Sequence, residues 1–171
     1  MKNADDFLKK YTNLNNIDIE EKQGEAQIEE FDKTKTKILK YVLYKKRTES
    51  EVRQKFSSSV EENLLEDVIE NLKQNNYIND ESYINRAVDE YLAINTLSIK
   101  EIRNKLYTKG VFNDIIDTYF SNNELKLEEY EINCAKKIII KKQTQMDRTQ
   151  IEQFLYKKGY KSNLIKIAFE E

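Results

Sequence analysis

One helical segment written twice limits what this chain can fold into. Residues 102–120 read IRNKLYTKGVFNDIIDTYF, and residues 151–169, 49 positions later, read IEQFLYKKGYKSNLIKIAF. Seven of the 19 aligned positions are identical: Ile102/Ile151, Leu106/Leu155, Tyr107/Tyr156, Lys109/Lys158, Gly110/Gly159, Ile116/Ile165 and Phe120/Phe169. Similarity at a fixed period marks a supersecondary unit stacked on its own copies. Each copy is an apolar-periodic run, a glycine, a polar link and a second apolar run, which predicts helix, tight turn, helix.

The rest of the chain extends this pattern. Thr48 with Glu51, Ser98 with Glu101 and Asp147 with Gln150 have capping-box spacing, and the three caps lie 50 and 49 residues apart. Ser59 with Glu62 reads as a further box, Asp80 as the N-cap of a helix bearing Tyr83, Ile84, Ala87 and Val88, and Asn113 or Asp114 as another cap. Gly110 and Gly159 read as left-handed helix stops. With no proline and three glycines among 171 residues, little interrupts helix. The expectation is all-α: nine helices in three tandem three-helix repeats, an elongated array of helix-turn-helix-like units over residues 33–79, 80–122 and 123–171. The 35% of charged side chains suit such a thin-cored array. Residues 1–32 read as an acidic arm, flexible or loosely helical, broken at Asn13–Asn16. Residues 1–33 carry 5 basic and 9 acidic groups.

Composition removes much chemistry. Without histidine and with one cysteine, Cys134, the chain has no imidazole-activated nucleophile, no Cys/His zinc cluster and no internal disulfide. No cofactor is expected, and an enzyme would have only carboxylates and tyrosines to work with. The N-terminus lacks a signal peptide's apolar core, and the longest aliphatic run, Ile138–Ile140, is far short of a membrane span. A cytoplasmic monomer without a membrane role is the expectation. A net charge of −2 does not suit a strong non-specific duplex binder.

In order and spacing these features resemble the RecX family, bacterial modulators of the RecA recombinase, over about residues 34–171. The most specific stretch, Tyr77-Ile78-Asn79-Asp80-Glu81-Ser82-Tyr83, is similar to the family's Gly-Tyr-(Ile/Leu)-Asp-Asp-Glu-(aromatic) signature, with Asn76 for its glycine and Asn79 for its first aspartate. Thr48 to Arg53, Ile102 to Leu106 with Lys109-Gly110, and Leu155 to Phe169 also match. The resemblance implies three tandem three-helix repeats and binding rather than catalysis. It implies a regulator that engages the RecA filament on single-stranded DNA and limits its growth or stability, modulating recombination, repair and the SOS response. The alternative is a sequence-independent nucleic-acid-binding helical protein.

Candidate contacts to RecA or DNA are the basic side chains Lys45, Lys46, Arg47, Arg53, Arg86, Arg103, Lys136, Lys137, Lys141, Lys142, Lys157, Lys158 and Lys161. The competing reading is cations matched to helix C-termini and solvated faces, with Arg53 and Arg103 in intramolecular pairs. Tyr77, Tyr83, Tyr91, Tyr107 and Tyr156 can stack on bases or pack between helices. Tyr77, Ile78, Asp80, Tyr83, Gly110 and Gly159 form the structural signature.

Overall fold

The computed structural model describes residues 4–94 and 96–170, with side chains from residue 24 onward. These residues form nine helices: α1 (Ala4–Tyr44), α2 (Glu49–Phe56), α3 (Glu62–Gln74), α4 (Asp80–Ile94), α5 (Ile99–Thr108), α6 (Asn113–Asn122), α7 (Glu124–Lys142), α8 (Arg148–Lys157) and α9 (Ser162–Glu170). Among the described residues there is no strand. Two compact units contain them, one of residues up to 45 with 56–77, the other of residues 46–55 with those from 78 on.

In the first unit α1 packs on α3. Ile38 and Val42 of α1 and Val68, Ile69 and Leu72 of α3 are buried, and Phe56 stands edge-on to Tyr41, ring centroids 5.5 Å apart. The long α1 corrects the sequence reading, since it passes through Asn13–Asn16 and Gly24 without a break. Asparagine in a helix interior costs only about 0.7 kcal/mol relative to alanine, and glycine about 1. Neither stops a helix as proline does.

Three caps also differ from expectation. Glu61, not Ser59, starts α3, its carboxylate accepting from Leu64 N. Asn79 caps α4, with Ser82 N donating to its side chain at 2.7 Å, and this releases Asp80 for a longer-range bond. Phe112 precedes α6 and makes no side-chain cap.

In the second unit the shared residues of the repeat become two cores. Ile102, Leu106, Val111 and Ile116 lie in one; their counterparts Ile151, Leu155, Tyr160 and Ile165 lie in the other. Each helix before a core ends the same way. Val111 N donates to Leu106 O at 3.2 Å, and Tyr160 N to Leu155 O at 3.1 Å, while Gly110 and Gly159 take φ of +74° and +91°. This is the Schellman arrangement, which needs a left-handed residue. The end of α3 repeats it with Asn76 at φ +58° and Tyr77 N on Leu72 O at 2.9 Å. Asparagine is the side chain that best tolerates glycine's conformation, which accounts for Asn76 at the signature's glycine.

Two equivalent junctions run through this unit. Thr48 Oγ1 donates to Lys109 O at 2.7 Å, and Ser98 Oγ donates to Lys158 O at 2.7 Å. The N-cap hydroxyl of one repeat thus satisfies an orphan carbonyl at the helix end of the next. The same hydroxyls accept from Glu51 N and Glu101 N at 3.1 and 3.2 Å, closing their capping boxes. A carboxylate buttresses each junction: Asp80 accepts from Glu49 N at 2.9 Å, and Glu131 from Ile99 N at 3.4 Å. A Cβ on Gly110 would collide with the Ser50 side chain, and one on Gly159 would lie 2.8 Å from Lys100 Cδ. Thr48 and Ser98 are buried, whereas the third cap, Asp147, is exposed.

Candidate partner-binding surfaces

Most of the candidate cations help to build the fold. Arg53 reaches Glu49 at 2.7 Å, Arg47 reaches Glu51 at 3.7 Å and Arg86 reaches Glu90 at 3.6 Å, all one helical turn apart. Arg103 bonds Asp117 of α6 and lies over the Phe120 ring, 4.8 Å from its centroid. Lys142 covers Phe154 at 4.3 Å, Lys161 pairs with Glu128 at 3.0 Å, and Lys158 stands 4.0 Å from Glu101 across a junction. Lys45, Lys46, Lys137, Lys141 and Lys157 are exposed, and Lys136 is half-buried.

Two grooves gather charge with apolar surface. The first runs along α7, where helical spacing places Lys126, Tyr130, Asn133, Lys137 and Ile140 on one face. With Leu92 of α4, Glu129 and Lys136 they line about 480 Å³. This groove unites Lys136 and Lys137, while Lys141 and Lys142 lie outside it. Lys126, absent from the sequence candidates, pairs with Asp89 at 3.2 Å. The second groove, about 270 Å³, lies between α8 and α9, lined by Tyr156, Lys157, Ile165 and Lys166 with Glu152, Gln153 and Ser162. Lys166 is also new: it sits alone among apolar residues in sequence, with only the α9 periodicity to place it on the outer face.

The tyrosines divide. Tyr83 and Tyr91 are half-buried against the α4–α6 core, as inter-helix packing requires. Tyr77, Tyr107 and Tyr156 are 39%, 67% and 68% exposed. Burial, with Glu51 adding to it, pushes the Tyr83 hydroxyl up to about 12, and burial raises Tyr130 and Tyr160 too. Ile78 is buried at 2% exposure, so the signature stretch contributes core, caps and the Asp80 buttress.

The ionisable group most displaced from its usual range in the carboxylate class is Glu131, fully buried. Burial raises it to about 7, against the opposing pull of the Ile99 N–H and of Lys161. Sequence reading passed over it as one more charge on α7, though its place one turn before Cys134 and Ala135 puts it on the buried face. Cys134 is fully buried, and burial pushes its thiol up. No group of three metal-ligating side chains converges among the described residues, and no helix there is long and apolar enough to cross a membrane.

No family model matches the sequence, but curated proteins do. It is 32% identical over 174 aligned positions to the regulatory protein RecX of Lactococcus lactis subsp. lactis strain IL1403, covering 96% of this chain and 63% of that protein. It is 30% identical over 156 positions to the regulatory protein RecX of Clostridioides difficile strain 630, covering 89% and 74%. It is 32% identical over 151 positions to that of Clostridium perfringens strain SM101, covering 84% and 70%. The chain therefore spans a little under two thirds of the lactococcal relatives' length. A crystal structure of a regulatory protein RecX superposes with a TM-score of 0.72 at 24% identity, over 85% of this chain and 74% of that one. RecX from Lactobacillus salivarius gives 0.71 at 24% identity, over 84% and 96%. The helical fold is common to all three.

Proposed function

The chain belongs to the RecX family, and we propose that it regulates a RecA recombinase by binding the RecA filament on single-stranded DNA and limiting filament growth or stability. The observation that carries this reading is the 30% identity extending over 89% of the chain to a regulatory protein RecX. Its relatives are named as regulators, which supports a reading without catalysis. On this reading the protein acts by occupancy, as a monomer in the cytoplasm, without a cofactor, and modulates recombination, DNA repair and the SOS response. The lysines of the α7 groove and the exposed Lys45 and Lys46 meet acidic protein or phosphate. A chain with several such surfaces contacts more than one protomer, and linked weak contacts give avidity.

RecA ATPase and strand exchange on single-stranded DNA, titrated with purified protein, test the reading. Inhibition far below one copy per RecA protomer indicates blocked growth at filament ends; inhibition near equal stoichiometry indicates binding along the length. No effect on either reaction, with no retention on filaments, rejects the proposal.

A further inference from the structure

Two tyrosine rings project into solvent at matching positions of consecutive repeats. Tyr107 and Tyr156 are 67% and 68% exposed, while their helix neighbours Leu106 and Leu155 are fully buried. The core anchors each helix immediately beside its ring, so each ring is displayed on a rigid support. Tyr156 does more than project: with Ile165 it lines the groove between α8 and α9, which Lys157 and Lys166 flank and to which Gln153 adds an amide.

The electrostatics of this groove point to an anion. Its lining carries two lysines, Lys157 and Lys166, and one acid. That acid, Glu152, is engaged by Arg148 at 2.9 Å. An exposed π face in one groove with an apolar residue and two lysine ammonium groups matches a planar base carried on a phosphate backbone. In a duplex the base faces are already stacked on each other, so only a single strand can offer one. Lysine contributes a point charge rather than a bidentate fork, which suits phosphates and confers no base preference. On α5 the second ring has Lys100 and Lys105 on its own helix, and Lys100 packs beside Gly159 at the end of α8. The Ser98–Lys158 bond joins these helix ends, so both rings belong to one packed unit.

We infer that the groove between α8 and α9, with Tyr156 as stacking platform and Lys157 and Lys166 as phosphate contacts, binds a nucleotide of single-stranded nucleic acid, and that Tyr107 is a second platform for the same strand. This deepens the filament reading, on which it rests for its biological setting, but the contact itself belongs to the protein alone.

Fluorescence anisotropy of a fluorescein-labelled oligo-dT with the full chain, without recombinase, tests it. Binding is expected at about 50 mM salt, weakening as salt rises. Tyr156→Ala weakens it roughly 5- to 100-fold, Tyr156→Phe keeps it within about twofold because the π face remains, and Tyr107→Ala weakens it in the same direction. Lys157→Gln and Lys166→Gln each reduce the salt slope by about 0.7. Tyr44→Ala, at a 90% exposed tyrosine on α1, leaves binding unchanged. Absence of oligo-dT binding by the wild type, or wild-type binding by both alanine variants, overturns the inference. If Tyr156→Ala abolishes RecA inhibition while oligo-dT binding is unaltered, the groove faces protein and the inference is likewise overturned. If oligo-dT binding depends on Tyr156 but RecA ATPase is untouched by the wild type, the strand site stands and the RecA reading falls.

Discussion

Ser98 Oγ lies 2.7 Å from the carbonyl oxygen of Lys158, 60 residues further along the chain. The serine both caps α5 and closes off the end of α8. Thr48 does the same for the end of α5 through Lys109. The repeats are therefore joined by a recurring hydroxyl-to-carbonyl bond, not by apolar contact alone.

Removing that hydroxyl strikes two helix ends together. Ser98→Ala is expected to lose about 1 kcal/mol for the cap and roughly 1 kcal/mol more for the half-buried Lys158 carbonyl left without its donor. Asp147→Ala, at an exposed cap with the same capping box, loses the cap contribution only. Urea unfolding of both variants checks the difference, and equal losses would contradict the junction's role.

The glycines separate by conformation. Gly159→Ala places a Cβ at φ +91° and 2.8 Å from Lys100, and we expect at least about 1 kcal/mol of destabilisation. Gly24→Ala lies within α1 with nothing within 4 Å of the added carbon, and should stabilise by about 0.5–1 kcal/mol. Thermal melts reporting the same sign for both substitutions would count against this account.

Glu131 makes stability depend on pH. Burial raises its carboxyl from 4.5 to about 7, so the folded chain holds a proton that the unfolded chain releases. This contribution is fully present below pH 4.5 and is lost as pH rises to about 7. Its size is of order 3 kcal/mol at most. Lys161 opposes the shift, and Glu128 adds to it. Glu131→Gln should flatten the stability profile across this window and exceed the wild type at about pH 8. A profile unchanged by the substitution would show that the carboxyl is already ionised when folded.

For the proposed function, Lys136→Glu with Lys137→Glu reverses two charges along the α7 groove. The concentration that half-inhibits RecA ATPase should rise several-fold, with the helical content by circular dichroism unchanged. Lys161→Gln, whose ammonium pairs internally with Glu128 at 3.0 Å, should shift inhibition less.

Sequence periodicity revealed what local physics controls. The buried pairs Ile102/Ile151 and Leu106/Leu155, the capping boxes at Ser98 and Asp147 and the glycine stops all follow from short-range spacing. Contacts across 30 to 60 residues leave no such trace. Nothing local turns the Asp80 carboxylate towards Glu49 N; helical spacing puts Glu131 on the buried face of α7, but not against Ile99 N, 32 residues away. The unbroken α1 was missed because a row of weak helix formers resembles a breaker when counted but not when summed energetically. The surfaces were legible only as charge: the chain pattern names Lys157, and only the packing of α9 on α8 sets Lys166 near it.

Asp147 has one further consequence. Its carboxylate can accept hydrogen bonds but has no proton to give at neutral pH, so it cannot repeat what Thr48 and Ser98 do for a neighbouring carbonyl. The carboxylate still starts its own helix, accepting from Gln150 N at 2.9 Å. Anyone wishing to graft an additional module onto α8 would have to restore a hydroxyl at position 147 and offer it a glycine-ended helix.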